Sequence, residues 1–338
     1  MTAPTQTQSL LESLQKEHVL PLWDRYKELN TREPQYYQPM IWPWRVMEDL
    51  VDRTAKEVSM SEAERRVLLL CHPAFPGTVF TTPTLSGGLQ ILEPGETAPP
   101  HRHTLAALRL VMAGEGAETL TDGKSCLMRP GDLILTPAWS WHEHRHNGKG
   151  RIVWFDGLDY PLARQLGTVF FESGPGPIPK RDIAEIADEG LREGGVLPDS
   201  GSHDLPYSPL CRYEWQRVAS ALEAMPAAAD GSKRIRYTNP TDGGPVTPTL
   251  DCYALRVGAG PTIPARTTAS AIVVVIEGEG KSRIGDVMFQ WKPHDVFILP
   301  RWLWVEHEAT TMPATLFLMT DREFIRRIGH LREESGKR

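Results

Sequence analysis

The feature that most narrows what this 338-residue chain can fold into is a stretch that occurs twice. Residues 107–144 read ALRLVMAGEGAETLTDGKSCLMRPGDLILTPAWSWHEH, and residues 271–307 read AIVVVIEGEGKSRIGDVMFQWKPHDVFILPRWLWVEH. Gly114-Glu115-Gly116 falls on Gly278-Glu279-Gly280, and Pro130-Gly131-Asp132 falls on Pro293-His294-Asp295. Trp139 and Trp141 fall on Trp302 and Trp304. Each copy is a series of strand-length apolar runs separated by Gly and Pro turns, the pattern of a small antiparallel barrel or sandwich. Two copies of one barrel is the simplest architecture that explains the repeat.

The remaining sequence frames these copies. Residues 7–30 carry a helical apolar stripe that Pro21 should break. A proline-rich aromatic arm follows, with Tyr36, Tyr37, Trp42 and Trp44 needing cover. Helices are expected over 44–56, 182–193 (ended by Gly194-Gly195) and 212–225, and a capping box at Ser61. A buried strand is expected over 67–71, and a short helix with a frayed tail at the C-terminus. The resulting division is residues 1–75 as N-terminal helices and arm, 76–171 as the first barrel, 172–249 as a partly helical linker, and 250–338 as the second barrel with its terminal helix.

A net charge of −6 with no long basic run argues against nucleic acid or an anionic membrane as partner. No apolar run approaches the ~20 residues of a membrane helix, and the N-terminus lacks a signal-peptide pattern, so a cytoplasmic location is expected. The four cysteines are scattered and form no CxxC pair, which argues against a disulfide framework or a zinc knuckle.

The repeat also separates structure from chemistry. What both copies keep is needed to fold; what one copy alone holds is free to serve function. Five of the eleven histidines lie between residues 101 and 146. His101 and His103 correspond to a Pro-Ala-Arg-Thr run at 264–267, and His142 corresponds to Val305. Only His144 has a counterpart, His307. On a strand, residues i and i+2 face one side, so His101 and His103 can both enter the barrel, and His142 can join them from a neighbouring strand. Three imidazoles suit iron, zinc, copper or nickel and leave coordination positions open. Arg109, six residues beyond His103 in an apolar strand, corresponds to Val273, so the barrel does not need its charge. Its planar fork suits a carboxylate.

PGETAPPHRH, GEGA and PGDLILTPAWSWHEH resemble the two motifs of the cupin superfamily. The whole arrangement resembles the bicupin ring-cleaving dioxygenases acting on gentisate, salicylate and 1-hydroxy-2-naphthoate. The resemblance implies a mostly β double cupin, two jelly-roll barrels with N-terminal helices and a partly helical linker. It implies Fe(II) on His101, His103 and His142, with no acidic ligand, and a homotetramer. It implies a small aromatic acid and O2 as substrates, the ring being cut between its carboxyl- and hydroxyl-bearing carbons. His144, Arg109 and Asp156 are the expected catalytic residues. Arg109, Gln90, His144, Arg65, Leu105 and Ala106 are the expected substrate contacts. Gentisate enzymes often read HRHTQSALR where this chain reads HRHTLAALR, so Leu105 and Ala106 should bear on the choice between gentisate and a salicylate. Trp139 and Trp141 are expected to pack, and His146 to sit at the rim. Two other readings fit the residues: a zinc or manganese cupin isomerase or hydrolase, and a non-catalytic cupin that binds an aromatic acid.

Overall fold

A computed structural model of the chain describes residues 6–29, 37–174, 188–192 and 205–336. Residues up to Gln35 form one compact unit and those from Tyr36 onward another. In the first unit, helices Gln6–Lys16 and Leu22–Leu29 stand on either side of Pro21, the break its missing N–H and fixed φ impose. Tyr36, Gly194 and Gly195 lie outside the described residues. Of the helix expected over 182–193, Asp188–Arg192 is described and is helical.

The second unit is built from four antiparallel sheets, two of six strands and two of five among the described residues. Each barrel joins one of each. In the first barrel, Ser86–Leu92, Ala107–Ala113, Leu133–Thr136 and Ile152–Leu158 form the centre of the large sheet. Thr97–His103, Ala117–Thr121 and His142–His146 form the centre of the small one. Strand alternation sorts the side chains. Leu89, Ile91, Leu108, Leu110 and Phe155 enter a core shared with Ala254, Ile272, Val274, Phe317 and Met319 of the other large sheet. Val111, Ile134 and Trp154 turn into the first barrel's own core. Val273, Phe297 and Trp291 do the same in the second. The two large sheets therefore pack face to face. At Gly157 a Cβ would stand 2.3 Å from Met319 Sδ, so a side chain there would push the sheets apart.

The repeat is longer than the sequence suggests. Ile41–Trp42 pairs with Val296–Leu299 of the second barrel, while Arg212–Tyr213 pairs with Leu133–Thr136 of the first. A helix follows each: Trp44–Glu57 and Trp215–Ala224. The Trp44 N–H donates to Asp295 Oδ1 (2.6 Å) and the Trp215 N–H to Asp132 Oδ1 (2.9 Å). Each helix is thus started by the opposite barrel's repeated Asp. Gly131 (φ +83°) brings the first of these turns against Trp215, where a Cβ would lie 2.5 Å from the indole. His294 adopts the same left-handed backbone in the second copy and meets Trp44 edge-on at 5.2 Å.

Several expectations need correction. Residues 212–213 are strand, and the helix begins at Trp215 because Asp132 caps it there. The expected linker also supplies Lys233–Tyr237, which edges the second large sheet, and the N-terminal region supplies Arg66–Leu69, which edges the first. The short helix after residue 58 is capped by Ser59, which accepts from the Glu62 N–H, and not by Ser61. The C-terminal tail is not frayed after helix Arg322–Arg327: Glu333–Ser335 pairs with Ala265–Thr267. The aromatic arm finds cover within the unit, Tyr37 donating to Ser270 Oγ and standing edge-on to His72 and Phe75.

Candidate metal centre

Strands Thr97–His103 and His142–His146 lie side by side, with His101 directly opposite His142. His101, His103 and His142 are all buried, and one nitrogen from each falls within 4.8 Å of the others. The backbone aims them. His103 Nδ1 faces the Leu105 carbonyl at 2.9 Å, His142 Nδ1 the Ser140 carbonyl at 2.9 Å, and His101 Nδ1 the Pro99 carbonyl at 3.2 Å. For His103 and His142, Nδ1–H donating to those carbonyls leaves an Nε2 lone pair turned inward, the form a metal requires; His101 Nδ1 stands between the Pro99 carbonyl and the Arg65 guanidinium. His142 Nε2 is buried with no hydrogen-bond partner, a costly state unless something fills it. Phe171, on the strand Phe171–Ser173, stacks on His101 with centroids 5.4 Å apart and fixes its outer face.

Electrostatics keep these rings neutral. Burial first, then Arg65 and His103, hold His101 down to about 2. Burial and then Arg109 hold His103 at about 4. His142 and His144 lie well below the ordinary histidine value for the same leading reason. Neutral imidazole is the ligating form, so the donor set, the orphaned nitrogen and the carbonyl supports together fit a divalent metal ion.

His144 stands outside the triad, its ring 6.0 Å from that of His142. Its Nδ1 lies 2.9 Å from Thr119 Oγ1, and its buried Nε2 has no partner. His307 repeats the arrangement, with Nδ1 2.7 Å from Ser282 Oγ. Arg109 is buried, donates to Thr136 Oγ1 and has Nε 3.3 Å from Asp156 Oδ1 on the neighbouring strand. Desolvation raises Asp156 and lowers Arg109, as expected for an ion pair inside a barrel. Gln90 shares the inward face, because its neighbours Leu89 and Ile91 enter the shared core; its Nε2 is also unpartnered. Register identifies the counterparts of Gln90, Arg109, His142 and Asp156 as Leu255, Val273, Val305 and Leu318, all apolar. At these positions one barrel carries apolar side chains; the other carries orphaned polar atoms around three histidines.

The other expected residues divide. Arg65 Nη2 lies 2.9 Å from both the Pro99 carbonyl and His101 Nδ1, at the outer side of the triad. Leu105 is buried and orients His103 through its carbonyl. Ala106 faces the wrong way for a substrate contact: it packs in the core between the large sheets, and its N–H donates to Asp159. His146 is not at the rim but buried, bonded to the Gly150 carbonyl. Trp139 and Trp141 sandwich the Arg102 guanidinium, as Trp302 and Trp304 do with Arg266. Sequence reasoning missed Thr119 and Phe171. Thr119 was legible, since a hydroxyl recurs at Ser282; Phe171 was not, because its register counterpart is Glu333.

Fold and site define a two-barrel cupin with a buried three-histidine cup in one barrel. The Cupin domain family matches residues 88–157, which span all three histidines. The chain is 37% identical over 334 residues to gentisate 1,2-dioxygenase 1 of Aquipseudomonas alcaligenes, covering 95% of this chain and 94% of that one. It is 33% identical to a 5-aminosalicylate 1,2-dioxygenase of Comamonas sp, covering 99% and 93%. The crystal structure of salicylate 1,2-dioxygenase from Pseudoaminobacter salicylatoxidans with gentisate superposes with a TM-score of 0.91 at 31% identity, covering 100% and 96%. The chain belongs to the gentisate and salicylate 1,2-dioxygenase family of ring-cleaving cupin enzymes.

Proposed function

We propose that the chain is an iron(II)-dependent dioxygenase that opens the ring of a hydroxybenzoate, gentisate or a substituted salicylate, between its carboxyl- and hydroxyl-bearing carbons. The observation that carries this reading is the convergence of three neutral, carbonyl-braced imidazoles in a chain aligned almost end to end with such enzymes. Bound there, iron(II) would supply the one-electron chemistry by which O2 reacts with a closed-shell ring. The ligand set brings no negative charge, so an anionic, chelating substrate is favoured over neutral phenols.

Arg109 is the residue we assign to the substrate carboxylate. Asp156 and Thr136 hold the guanidinium in one orientation, so little side-chain entropy is lost on binding. His144 is assigned to hold or pass a proton at Nε2, its ring fixed by Thr119. Gln90 offers its unpartnered amide to a ring substituent, and Arg65 a cation on the outer side of His101. Leu105 shapes the wall beside His103; Ala106 is withdrawn as a contact. Metal analysis and oxygen-electrode assays across gentisate, salicylates and hydroxynaphthoate test the reading. A single iron per chain and substrate-dependent O2 uptake are expected. Turnover under strict anaerobiosis, or full activity with zinc alone, would replace it with a cupin isomerase or hydrolase.

A further inference from the structure

The second barrel lacks counterparts of His101, His103 and His142, keeps His307, and retains interior space. A cavity of about 440 Å³ opens inside it, within the size range of small-molecule sites. Leu255, Leu303, Val305 and Leu318 supply an apolar wall, and Ala265 and Thr267 stand at the register positions of His101 and His103. One cation faces this space without a partner. Arg234, opposite Leu255 on the edge strand, lies over the Tyr253 ring with its guanidinium carbon 4.0 Å from the centroid. Among the described residues, no carboxylate forms a contact ion pair with that guanidinium and no acceptor hydrogen-bonds it; Asp251 and Glu333 act on it only at longer range.

The other charges around the cavity are spoken for. Arg322 is forked onto Glu333 at 2.9 and 2.5 Å. Arg266 pairs with Glu334 at 2.7 Å. Asp230 accepts from the Ser232 N–H and hydroxyl and from the Ile263 N–H. The register makes the exchange between barrels explicit. The first barrel places Val67 and Gly88 where the second has Arg234 and Tyr253; the second places Val273 and Leu318 where the first has Arg109 and Asp156. In each barrel an arginine stands on an inner wall, Arg109 in the first and, on a different wall, Arg234 in the second. In the first, a carboxylate of the chain already pairs with it; in the second, that place is open.

We propose that the second barrel is a non-catalytic site for a small organic carboxylate with a flat apolar body. Its carboxylate sits on Arg234 and its body against Leu255, Leu303, Val305 and Leu318. The guanidinium fork supplies the charge-assisted contact, and the wall supplies the preference for a hydrocarbon body over a bare anion. The site needs neither the metal nor the ring-cleavage reading. The test is calorimetric titration of the iron-loaded protein with benzoate, which lacks the adjacent hydroxyl needed to chelate, with acetate and inorganic phosphate as anion controls. Benzoate is expected to bind at least about tenfold more tightly than either control, and at least about tenfold less tightly in Arg234→Gln. Arg109→Gln is expected to keep this site. Benzoate binding unchanged in Arg234→Gln, or lost only in Arg109→Gln, overturns the proposal, as does acetate binding equal to benzoate. Should Arg234→Gln fail to melt cooperatively, Arg234→Lys replaces it; it keeps the charge but not the fork, and unchanged affinity there overturns the proposal equally.

Discussion

Each of the three histidines has its Nδ1 near a carbonyl of its own strand or the adjoining turn, so backbone sets much of the triad's geometry, with Arg65 and Phe171 adding side-chain contacts at His101 alone. Two classes of variant should therefore behave differently. His142→Ala is expected to lose both metal and turnover. His144→Gln is expected to retain metal while kcat falls on the order of 10²-fold, the scale of a lost proton-transfer group; metal analysis beside steady-state O2 uptake separates them. A pH effect follows from His307, which is buried and held at about 4 by desolvation and then by Arg234. Its value in the unfolded chain is near 6.5, so the unfolded chain takes up the proton first as pH falls. Stability that is intact above about pH 6.5 drains between there and pH 4, by roughly 3 kcal/mol for this one group. His307→Gln should flatten that part of the acid limb in urea-unfolding curves. The triad was legible because the repeat lacks it. The carbonyl supports were not, since a sequence does not say where a main-chain oxygen will face.

At the level of elements, the two barrels trade contacts across a pseudo-twofold relation. Thr84 donates to Asp321 Oδ2 at 2.5 Å, and Thr249 donates to Asp159 Oδ2 at 2.6 Å. Ser270 and Ala106 donate their N–H groups to Oδ1 of the same two aspartates. Asp321 also takes Arg301 at 2.9 Å and is fully buried. Asp321→Ala leaves that arginine and hydroxyl without their acceptor, and a loss of about 3–5 kcal/mol is expected, read as a lower urea midpoint at unchanged slope. The Thr-Pro-Thr-Leu run at 82–85 returns at 247–250 and carries this exchange in plain sight. The strand and helix before each barrel were harder to read. Ile41–Trp42 and Arg212–Tyr213 are two residues each, too short for a periodicity, and each finds its partner in the other half of the chain. A capping aspartate more than 80 positions from its helix leaves no local mark in the sequence.

At the scale of the molecule, the core between the large sheets makes the barrels one structure. Phe155, Leu108 and Ile91 from the first meet Phe317, Ile272 and Ala254 from the second. Separation would expose this face to water, at a cost of about 25 cal/mol for each Å² of apolar surface. Residues 36–338 should consequently melt in one calorimetric transition with equal van't Hoff and calorimetric enthalpies; two resolved barrel transitions would contradict the shared core. The double-barrel plan was legible from the repeat, but its joining was not, because strand alternation alone does not say which face meets a second sheet. No helix among the described residues is long and apolar enough to cross a membrane. The division of labour between a histidine-bearing barrel and a histidine-poor one is the central claim, and isotope labelling tests it most directly. The iron-loaded protein turning over gentisate or a salicylate under ¹⁸O₂ is expected to place both labelled atoms in the ring-opened product, with His101→Ala forming none. Product without label, or label incorporated equally by His101→Ala, would contradict it.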